Sequence, residues 1–277
     1  MQGIADFMRR QTLRQSVELT GLGVRSGRDI TITIAPSVCG GGIVIERTDI
    51  DAAWPASLDH VVEVPGCTSI GSSAGRVDFV EHLMAVLWAH RITDARIMVD
   101  GPEIPLFNGS AAPFFEAVKR CGTNPVDGEL APVTCDRGIF EIGEDKAIMA
   151  LPADMPVLAY SLLHPHPLIG HQYAEFRPDS DDFGEMLAPA RTFATKQELD
   201  ELMEAGYIAA GSEENCLVVY DNGYCDEPFA PNAFARHKLV DMIGDLYLLG
   251  RPVNARIVAY RTGHKENRTL TKKIRDE

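Results

Sequence analysis

The sequence has no apolar run long enough to cross a membrane. A transmembrane helix needs about 20 consecutive apolar residues, and polar or charged residues interrupt every apolar stretch of this 277-residue chain before that length. The first residues, MQGIADFMRRQTLRQ, also lack an apolar core followed by a small-residue cleavage site, which is the pattern of a secretory signal peptide. We therefore expect a cytoplasmic protein.

Cysteine pairs at metal-binding spacing are missing as well. The 6 cysteines are scattered along the chain, and no two of them form a C-x-x-C pair. In a cytoplasmic protein they are expected to be free thiols, several of them buried. A cysteine-rich structural zinc site is not expected, so any metal ion must be held by histidine and carboxylate side chains.

Positive charge is scarce. The chain has 26 Lys and Arg residues against 40 Asp and Glu residues, a formal net charge of -14. Such a field repels a polyphosphate backbone, so nucleic acid is not an expected partner. A small anionic substrate remains compatible with this charge if a few cations gather at the site. The one basic cluster, RTGHKENRTLTKKIR (261–275), fits a solvated tail at least as well as a functional segment. No pattern indicates an interface, and we expect a monomer.

The order of apolar patterns predicts an α+β fold made of two similar domains. In the first half, the strands VELTGLGV, DITITIAP and GGIVIER precede a mostly buried helix over 76–90, which leads into the strand ARIMVD. The second half repeats this order, with helices at 196–205 and 232–249 before the strand ARIVAY. The similarity between the segments ARIMV and ARIVA indicates a duplicated unit. The Pro- and Gly-containing segment GTNPVDGELAPV then predicts domains at 1–126 and 127–277.

The helix expected to be capped by Asn232 carries polar side chains along one stripe. His237, Asp241 and Asp245 stand at i, i+4 and i+8, with Lys238 beside them. An imidazole and a carboxylate one turn apart can reach the same cation. The same residues could instead form only the solvated polar face of an amphipathic helix.

A second candidate is the motif VEHLMA (80–85). Glu81 and His82 are adjacent on a helix that is otherwise almost entirely apolar, and a charged glutamate there is unfavourable unless it is paired or functional. Alternatively, Glu81 lies at the wet edge of the helix and His82 is a satisfied core histidine. Taken with the polar stripe, the motif gives two histidines, one aspartate and a free glutamate able to accept a proton from water. That is the composition of a catalytic zinc site.

Several further motifs follow one another along nearly the whole chain: VELTGLGVRSG, VEHLMA, GPEIPLFNGSAAPF, HPLIGHQ, ARTF, the GS at 211–212, RHKLVDMIGDLYLLG and TGH. In these motifs the chain resembles the UDP-3-O-acyl-N-acetylglucosamine deacetylases, zinc enzymes of lipid A synthesis in Gram-negative bacteria. The resemblance implies two α+β domains, each a sheet packed on helices, with the active site between them. It also implies hydrolysis of the N-acetyl group to acetate and a free amine. The cofactor would be Zn²⁺, although His and Asp ligands suit Fe²⁺ too.

The resemblance also implies a role for each catalytic residue. Glu81 would be the general base toward the attacking water, and His264, expected in a loop after the last strand, would stabilise the oxyanion and protonate the leaving amine. Asp245 would orient His264, and Thr192 would donate a hydrogen bond to the tetrahedral oxyanion. The implied metal ligands are His82, His237 and Asp241.

The resemblance places further residues at the substrate. Lys238 would contact it, and Phe193 and Gly211 would line the region that meets the sugar and acyl chain. A positive charge at Lys238 suits a UDP diphosphate held by an acidic protein. The apolar residues from Phe193 through Ile208 to Val219 are candidates for the walls of an acyl channel, although such residues are also ordinary core.

The chain departs from the family pattern at three positions. Arg25 stands where the family usually has His, Asn108 where it has Asp, and Lys265 where it has Gly. The first two leave open a zinc amidase that acts on another N-acetylated sugar nucleotide. A further alternative is a non-catalytic protein that binds sugar nucleotides or stores a metal, which the presence of both Glu81 and His264 disfavours.

Overall fold

The computed structural model describes residues 9–37 and 40–277. The helices are α1 (Glu81–Ala89), α2 (Ala112–Cys121), α3 (Phe183–Met186), α4 (Lys196–Glu204), α5 (Ala233–Tyr247) and α6 (His264–Arg275), with a 3-10 turn at Leu58–His60. The strands of the first half are β1 (Arg9–Leu13), β2 (Val17–Leu22), β3 (Asp29–Pro36), β4 (Ile43–Arg47), β5 (Ala52–Pro55), β6 (Val61–Val62), β7 (Ser69–Ser72), β8 (Gly75–Val77) and β9 (Ala95–Val99). Those of the second half are β10 (Thr123–Glu129), β11 (Val133–Thr134), β12 (Ile139–Ile142), β13 (Ala147–Pro152), β14 (Val157–Leu163), β15 (His171–Phe176), β16 (Phe193–Thr195), β17 (Leu217–Tyr220), β18 (Gly223–Tyr224) and β19 (Val253–Tyr260).

The two large sheets have the same topology. The first has the order β2-β3-β9-β4-β5 and the second has β12-β13-β19-β14-β15, with β11 pairing to β19. In both, the third strand pairs antiparallel with the second and parallel with the fourth, and the outer pairs are antiparallel. ARIMV forms β9 and ARIVA lies within β19, so the echoed segments are the equivalent central strands. The predicted α+β fold of two similar units is confirmed.

A small sheet is inserted at the same place in each unit. β6, β7 and β8 lie between the last strand pair of the first unit and α1, and β16, β17 and β18 lie between the corresponding pair of the second unit and α5. Strands alternate buried and exposed side chains, as in DITITIAP, whose Ile side chains face the core. One hydrophobic cluster contains buried residues of both units, among them Ile97, Leu239 and Ile257.

Helices α1 and α5 cross at very short range. A β-carbon added to Gly244 would lie 2.0 Å from the carbonyl oxygen of Glu81, so only glycine permits the two backbones to come this close. Since α1 carries Glu81 and His82 while α5 carries His237 and Asp241, the crossing brings these candidate site residues together.

The structure corrects the predicted start of the first apolar helix. Residues Gly75–Val77 form β8 against β7, and Phe79 has a φ of 62°, which a right-handed helix cannot contain. The helix therefore begins at Glu81. The predicted capping by Asn232 is also wrong in detail: Asn232 stands at the N-cap position, but its side chain accepts from Arg236 and donates to the carbonyl of Tyr173 instead of capping.

Two segments interpreted as irregular form regular structure. Residues of the predicted boundary segment form β10, which pairs antiparallel with β1, and the division at residues 126 and 127 stays a prediction. His264, expected in a loop, is the first residue of α6. There Glu266 accepts from the N–H of Gly263 at 2.9 Å, and Leu270 and Ile274 are buried, so 264–275 is an amphipathic helix rather than a solvated tail.

The predicted free cysteines are confirmed where the structure describes them. Cys67, Cys121, Cys135 and Cys216 are buried free thiols, and Cys225 is half-buried and free; Cys39 lies outside the described residues. No helix within 9–37 and 40–277 combines the length and apolar character that a membrane span requires.

Candidate metal centre and surrounding site

Three buried side chains from the crossing helices converge on one point. One nitrogen from each of His82 and His237 and one oxygen of Asp241 all lie within 4.8 Å of one another. The Nε2 atoms of His82 and His237 are 3.5 Å and 3.3 Å from Asp241 Oδ1. The exposed fractions of His82, His237 and Asp241 are 2%, 2% and 4%. A solvated polar face is therefore excluded for His237 and Asp241, and the three donors could hold a metal ion.

The protonation of this cluster fits metal binding. His237 Nδ1 lies 3.1 Å from the carbonyl oxygen of Ala190, so Nδ1 carries the proton and Nε2 presents its lone pair to the cluster. Burial lowers the pKa of His237 to about 3, which keeps the imidazole neutral. Burial acts to raise the pKa of Asp241, but the charge of Lys238 holds it well below its usual value. Neutral imidazoles and an ionised carboxylate are the forms that bind a divalent cation.

Lys238 occupies the other oxygen of this carboxylate. Its Nζ lies 2.7 Å from Asp241 Oδ2, while Oδ1 faces the two imidazoles. Burial acts to lower the pKa of Lys238, but the charge of Asp241 outweighs it and raises the pKa. The ammonium group is thus charged, and it fixes which oxygen of Asp241 points to the cluster.

Glu81 is a buried carboxylate beside the donors. Its Oε2 accepts a hydrogen bond from the backbone N–H of Thr68 at 2.9 Å, and its Oε1 lies 3.9 Å from His264 Nε2. Burial raises the pKa of Glu81, against the opposing charge of His264. A carboxylate with a raised pKa, held by one oxygen and open at the other, is suited to accept a proton.

His264 is charged because it faces a carboxylate. Its Nδ1 donates to Asp245 Oδ2 at 2.9 Å, and Asp245 is fully buried. Burial acts to lower the pKa of His264, but the charge of Asp245 and this hydrogen bond outweigh it and raise the pKa to about 9. The imidazolium therefore presents an Nε2–H toward Glu81 while Asp245 fixes the ring orientation.

A cleft of about 790 Å³ reaches the neighbours of the donor cluster: its lining includes Lys238, which pairs with Asp241, and Phe193, which contacts His237, but none of the three donors. Thr192, Phe193, Gly211 and Lys238 all line it, so the structure brings together the side chains predicted to meet substrate. Phe193 stands edge-on to His237, with ring centroids 6.2 Å apart. Gly211 is tightly enclosed, since a β-carbon there would lie 2.7 Å from Ile208 Cδ1.

The expected apolar walls are partly present. Phe193, Leu199, Leu202 and Ile208 line the cleft. Val219, expected at the end of this wall, is absent from the lining and is buried in the main hydrophobic cluster instead. The physical reason is strand alternation within β17, which directs neighbouring side chains to opposite faces of the small sheet.

The three departures from the family pattern have different surroundings. Arg25 lines the cleft, with its Nε 2.8 Å from Asp78 Oδ2 and its guanidinium 5.3 Å from the ring centroid of Phe79. The side-chain oxygen of Asn108 accepts from the hydroxyl of Ser110 at 2.8 Å, a bond that Asp could also accept. Lys265 is exposed in the first turn of α6.

The motifs did not point to several residues that hold this site. Thr68 contacts both Glu81 and Asp245, and Asn267 donates to Asp245 Oδ2 at 2.9 Å. Arg268 donates to Thr68 Oγ1 at 2.8 Å. Helical spacing after His264 would have placed the residues at i+3 and i+4 on the same face. Nothing in the sequence around Thr68 signals its contacts.

Known proteins are similar to nearly the whole of this chain. The family model described as UDP-3-O-acyl N-acetylglycosamine deacetylase matches residues 10–276. The chain belongs to this family. The family match covers both units and therefore all of the donors, the carboxylate Glu81 and the cleft.

Curated relatives of the family carry the name UDP-3-O-acyl-N-acetylglucosamine deacetylase. The relative from Leptospira biflexa is 33% identical, and the match covers 96% of this chain and 89% of the relative. The relative from Anaeromyxobacter dehalogenans is 36% identical over 96% of this chain and 87% of its own length. The relative from Synechocystis is 35% identical over 96% and 98%.

Proposed function

We propose that this chain is a metal-dependent amidohydrolase that deacetylates UDP-3-O-acyl-N-acetylglucosamine, the reaction named for its relatives and a step of lipid A biosynthesis. The products would be acetate and the free 2-amino sugar nucleotide. The observation that carries the proposal is the convergence of a three-donor cluster with the carboxylate Glu81 and the imidazolium His264.

We propose Zn²⁺ as the ion, with Fe²⁺ as a substitute that the same donors would accept. His82, His237 and Asp241 would hold it, and two imidazoles with one carboxylate leave a further position open, as in catalytic zinc sites. A bound zinc ion would polarise the amide carbonyl and lower the pKa of water toward about 7.

The chain's own residues would move the protons. Glu81 would accept the proton of the attacking water at Oε1, because Oε2 is occupied by the N–H of Thr68. His264 would deliver the proton on Nε2 to the leaving nitrogen, an amine that is a poor leaving group unless it is protonated. The distance of 3.9 Å between Glu81 Oε1 and His264 Nε2 leaves both groups facing one reacting centre.

The cleft would bind the rest of the substrate. Thr192 would donate its hydroxyl to the oxyanion of the tetrahedral intermediate. The charged Lys238 would face the sugar nucleotide, and Leu199, Leu202 and Ile208 would contact the fatty chain. The apolar side chains that line this cleft support an acylated substrate over a bare sugar nucleotide.

The test is acetate release by the zinc-loaded protein from UDP-3-O-acyl-N-acetylglucosamine and, in parallel, from UDP-N-acetylglucosamine without the chain. We expect turnover of the first and a strong loss with the second. Equal turnover of both would indicate another N-acetylated sugar nucleotide as the substrate. No turnover of either, with metal content near one ion per chain, would contradict the proposal.

A further inference from the structure

Thr68 donates hydrogen bonds to both Glu81 and Asp245, the partner of His264. It is fully buried between β6 and β7. Its backbone N–H donates to Glu81 Oε2 at 2.9 Å, and its hydroxyl donates to Asp245 Oδ1. Its carbonyl accepts from the N–H of Val80 at 3.1 Å, immediately before helix α1 begins. Every hydrogen-bonding group of Thr68 is therefore used in holding the site.

The direction of the Thr68 hydroxyl is set by a buried arginine. Arg268 is 2% exposed, and its Nη1 donates to Thr68 Oγ1 at 2.8 Å, while its Nη2 pairs with Glu63 Oε2 at 2.5 Å. A guanidinium can only donate. The hydroxyl must therefore accept from Arg268 and turn its single proton toward Asp245.

This arrangement divides the two oxygens of Asp245. Oδ1 accepts from Thr68, and Oδ2 accepts from both His264 Nδ1 and Asn267 Nδ2, each at 2.9 Å. With donors on both oxygens, the carboxylate plane is fixed, and so is the ring of His264 that depends on it. A loss of the Thr68 donor frees Oδ1 and allows the plane to rotate.

We propose that Thr68 is a positioning residue that fixes Glu81 and the Asp245–His264 pair in position relative to each other, with Arg268 orienting the Thr68 hydroxyl. This inference rests on the proposed deacetylation, since it assigns the geometry of that reaction's base and acid. The N–H, hydroxyl and carbonyl of Thr68 are all taken by protein partners, so it acts through these partners rather than on substrate.

The test uses Thr68→Val, which removes the hydroxyl but keeps the shape and the backbone N–H to Glu81, and Thr68→Ser, which keeps the hydroxyl. Thr93→Val is the matched control. Thr93 is also a buried threonine, and its hydroxyl donates to the buried carboxylate of Asp94 at 2.7 Å, away from the site. All proteins are compared with zinc bound and with metal content measured.

We expect Thr68→Val to lower kcat by roughly tenfold to a hundredfold, since small displacements of reacting groups have effects of this order. KM and metal content should stay within about twofold of the wild-type values, and Thr68→Ser should recover most of kcat. Thr93→Val should retain kcat even if it unfolds at a lower temperature. A loss confined to KM or to metal content, or equal losses of kcat in both valine variants, would overturn the proposal.

A second measurement does not need substrate. In ¹⁵N-histidine-labelled protein, the Nδ1–H signal of His264, assigned with His264→Gln, reports its hydrogen bond to Asp245. We expect this signal in the wild type, Thr68→Ser and Thr93→Val, and its weakening by exchange in Thr68→Val. An unchanged signal in Thr68→Val would refute the positioning role. Absence of turnover in the wild type would instead count against the deacetylation, while this signal would still decide the role of Thr68.

Discussion

The charge of Asp245 should control the pH range in which His264 acts as an acid. We consider Asp245→Asn, which keeps the shape of the side chain and removes its charge. Asp245 is the main group that raises the pKa of His264 from 6.5 to about 9. Without that charge, burial still lowers the pKa of His264 while Glu81 and Asp241 still raise it, so the pKa in the variant should fall from about 9 toward 6.5.

The magnitude follows from the protonated fraction of His264. At pH 7.5 a group with a pKa of 9 is about 97% protonated, and a group with a pKa of 6.5 is about 9% protonated. A fall of the His264 pKa from about 9 to 6.5 would therefore lower kcat/KM at pH 7.5 about tenfold from protonation alone. Because the acid is needed in its protonated form, activity falls as the pH rises through the pKa, and the alkaline limb of the variant should move to lower pH.

The assay is a pH profile of kcat/KM between pH 5.5 and 10, with metal content measured at each end. Activity of the variant should partly recover toward pH 6, where about three quarters of a group with a pKa of 6.5 is protonated. Asp94→Asn is the control, since Asp94 is equally buried but pairs with Arg10. An alkaline limb of Asp245→Asn that coincides with that of the wild type would show that Asp245 does not raise the pKa of His264.

Two further predictions concern the helix crossing and the metal ligands. Gly244→Ala should lower the free energy of unfolding by at least about 2 kcal/mol, because the backbone that the added carbon meets cannot move aside easily. Gly223→Ala, with nothing within 4 Å of the added carbon, should change the free energy of unfolding little. Urea denaturation compares the two variants, and equal midpoints would contradict the close crossing of α1 and α5. His237→Ala should bind less than one zinc ion per chain after dialysis, while His171→Ala, at an exposed position, should retain about one. Zinc retained at one ion per chain in His237→Ala would remove His237 from the set of metal ligands.

Local sequence patterns predicted much of the fold. The strand DITITIAP occupies the predicted residues as β3, because alternating β-branched residues fit only a half-buried strand. The polar stripe of α5 was predicted from the spacing of four residues between its members, because residues four apart lie on the same face of an α-helix. What the spacing could not decide was whether that face meets solvent or protein, since this depends on α1, more than 140 residues earlier in the sequence.

The unpredicted part of the site depends on long-range contacts. Thr68 and Asp245 are 177 residues apart, and Thr68 and Arg268 are 200 apart, so no local pattern connects them. The helix after His264 was missed for a different reason. Its many charged residues favoured a solvated tail, although Leu270 and Ile274 at i and i+4 already form an apolar stripe.

The central claim is that Glu81 acts as the base beside a metal held by the three donors. The most direct test compares acetate release from UDP-3-O-acyl-N-acetylglucosamine by the zinc-loaded wild type and Glu81→Gln, with bound zinc counted in both. We expect kcat to fall by about a hundredfold or more in the variant, with zinc content unchanged. Turnover by Glu81→Gln close to that of the wild type would contradict the account.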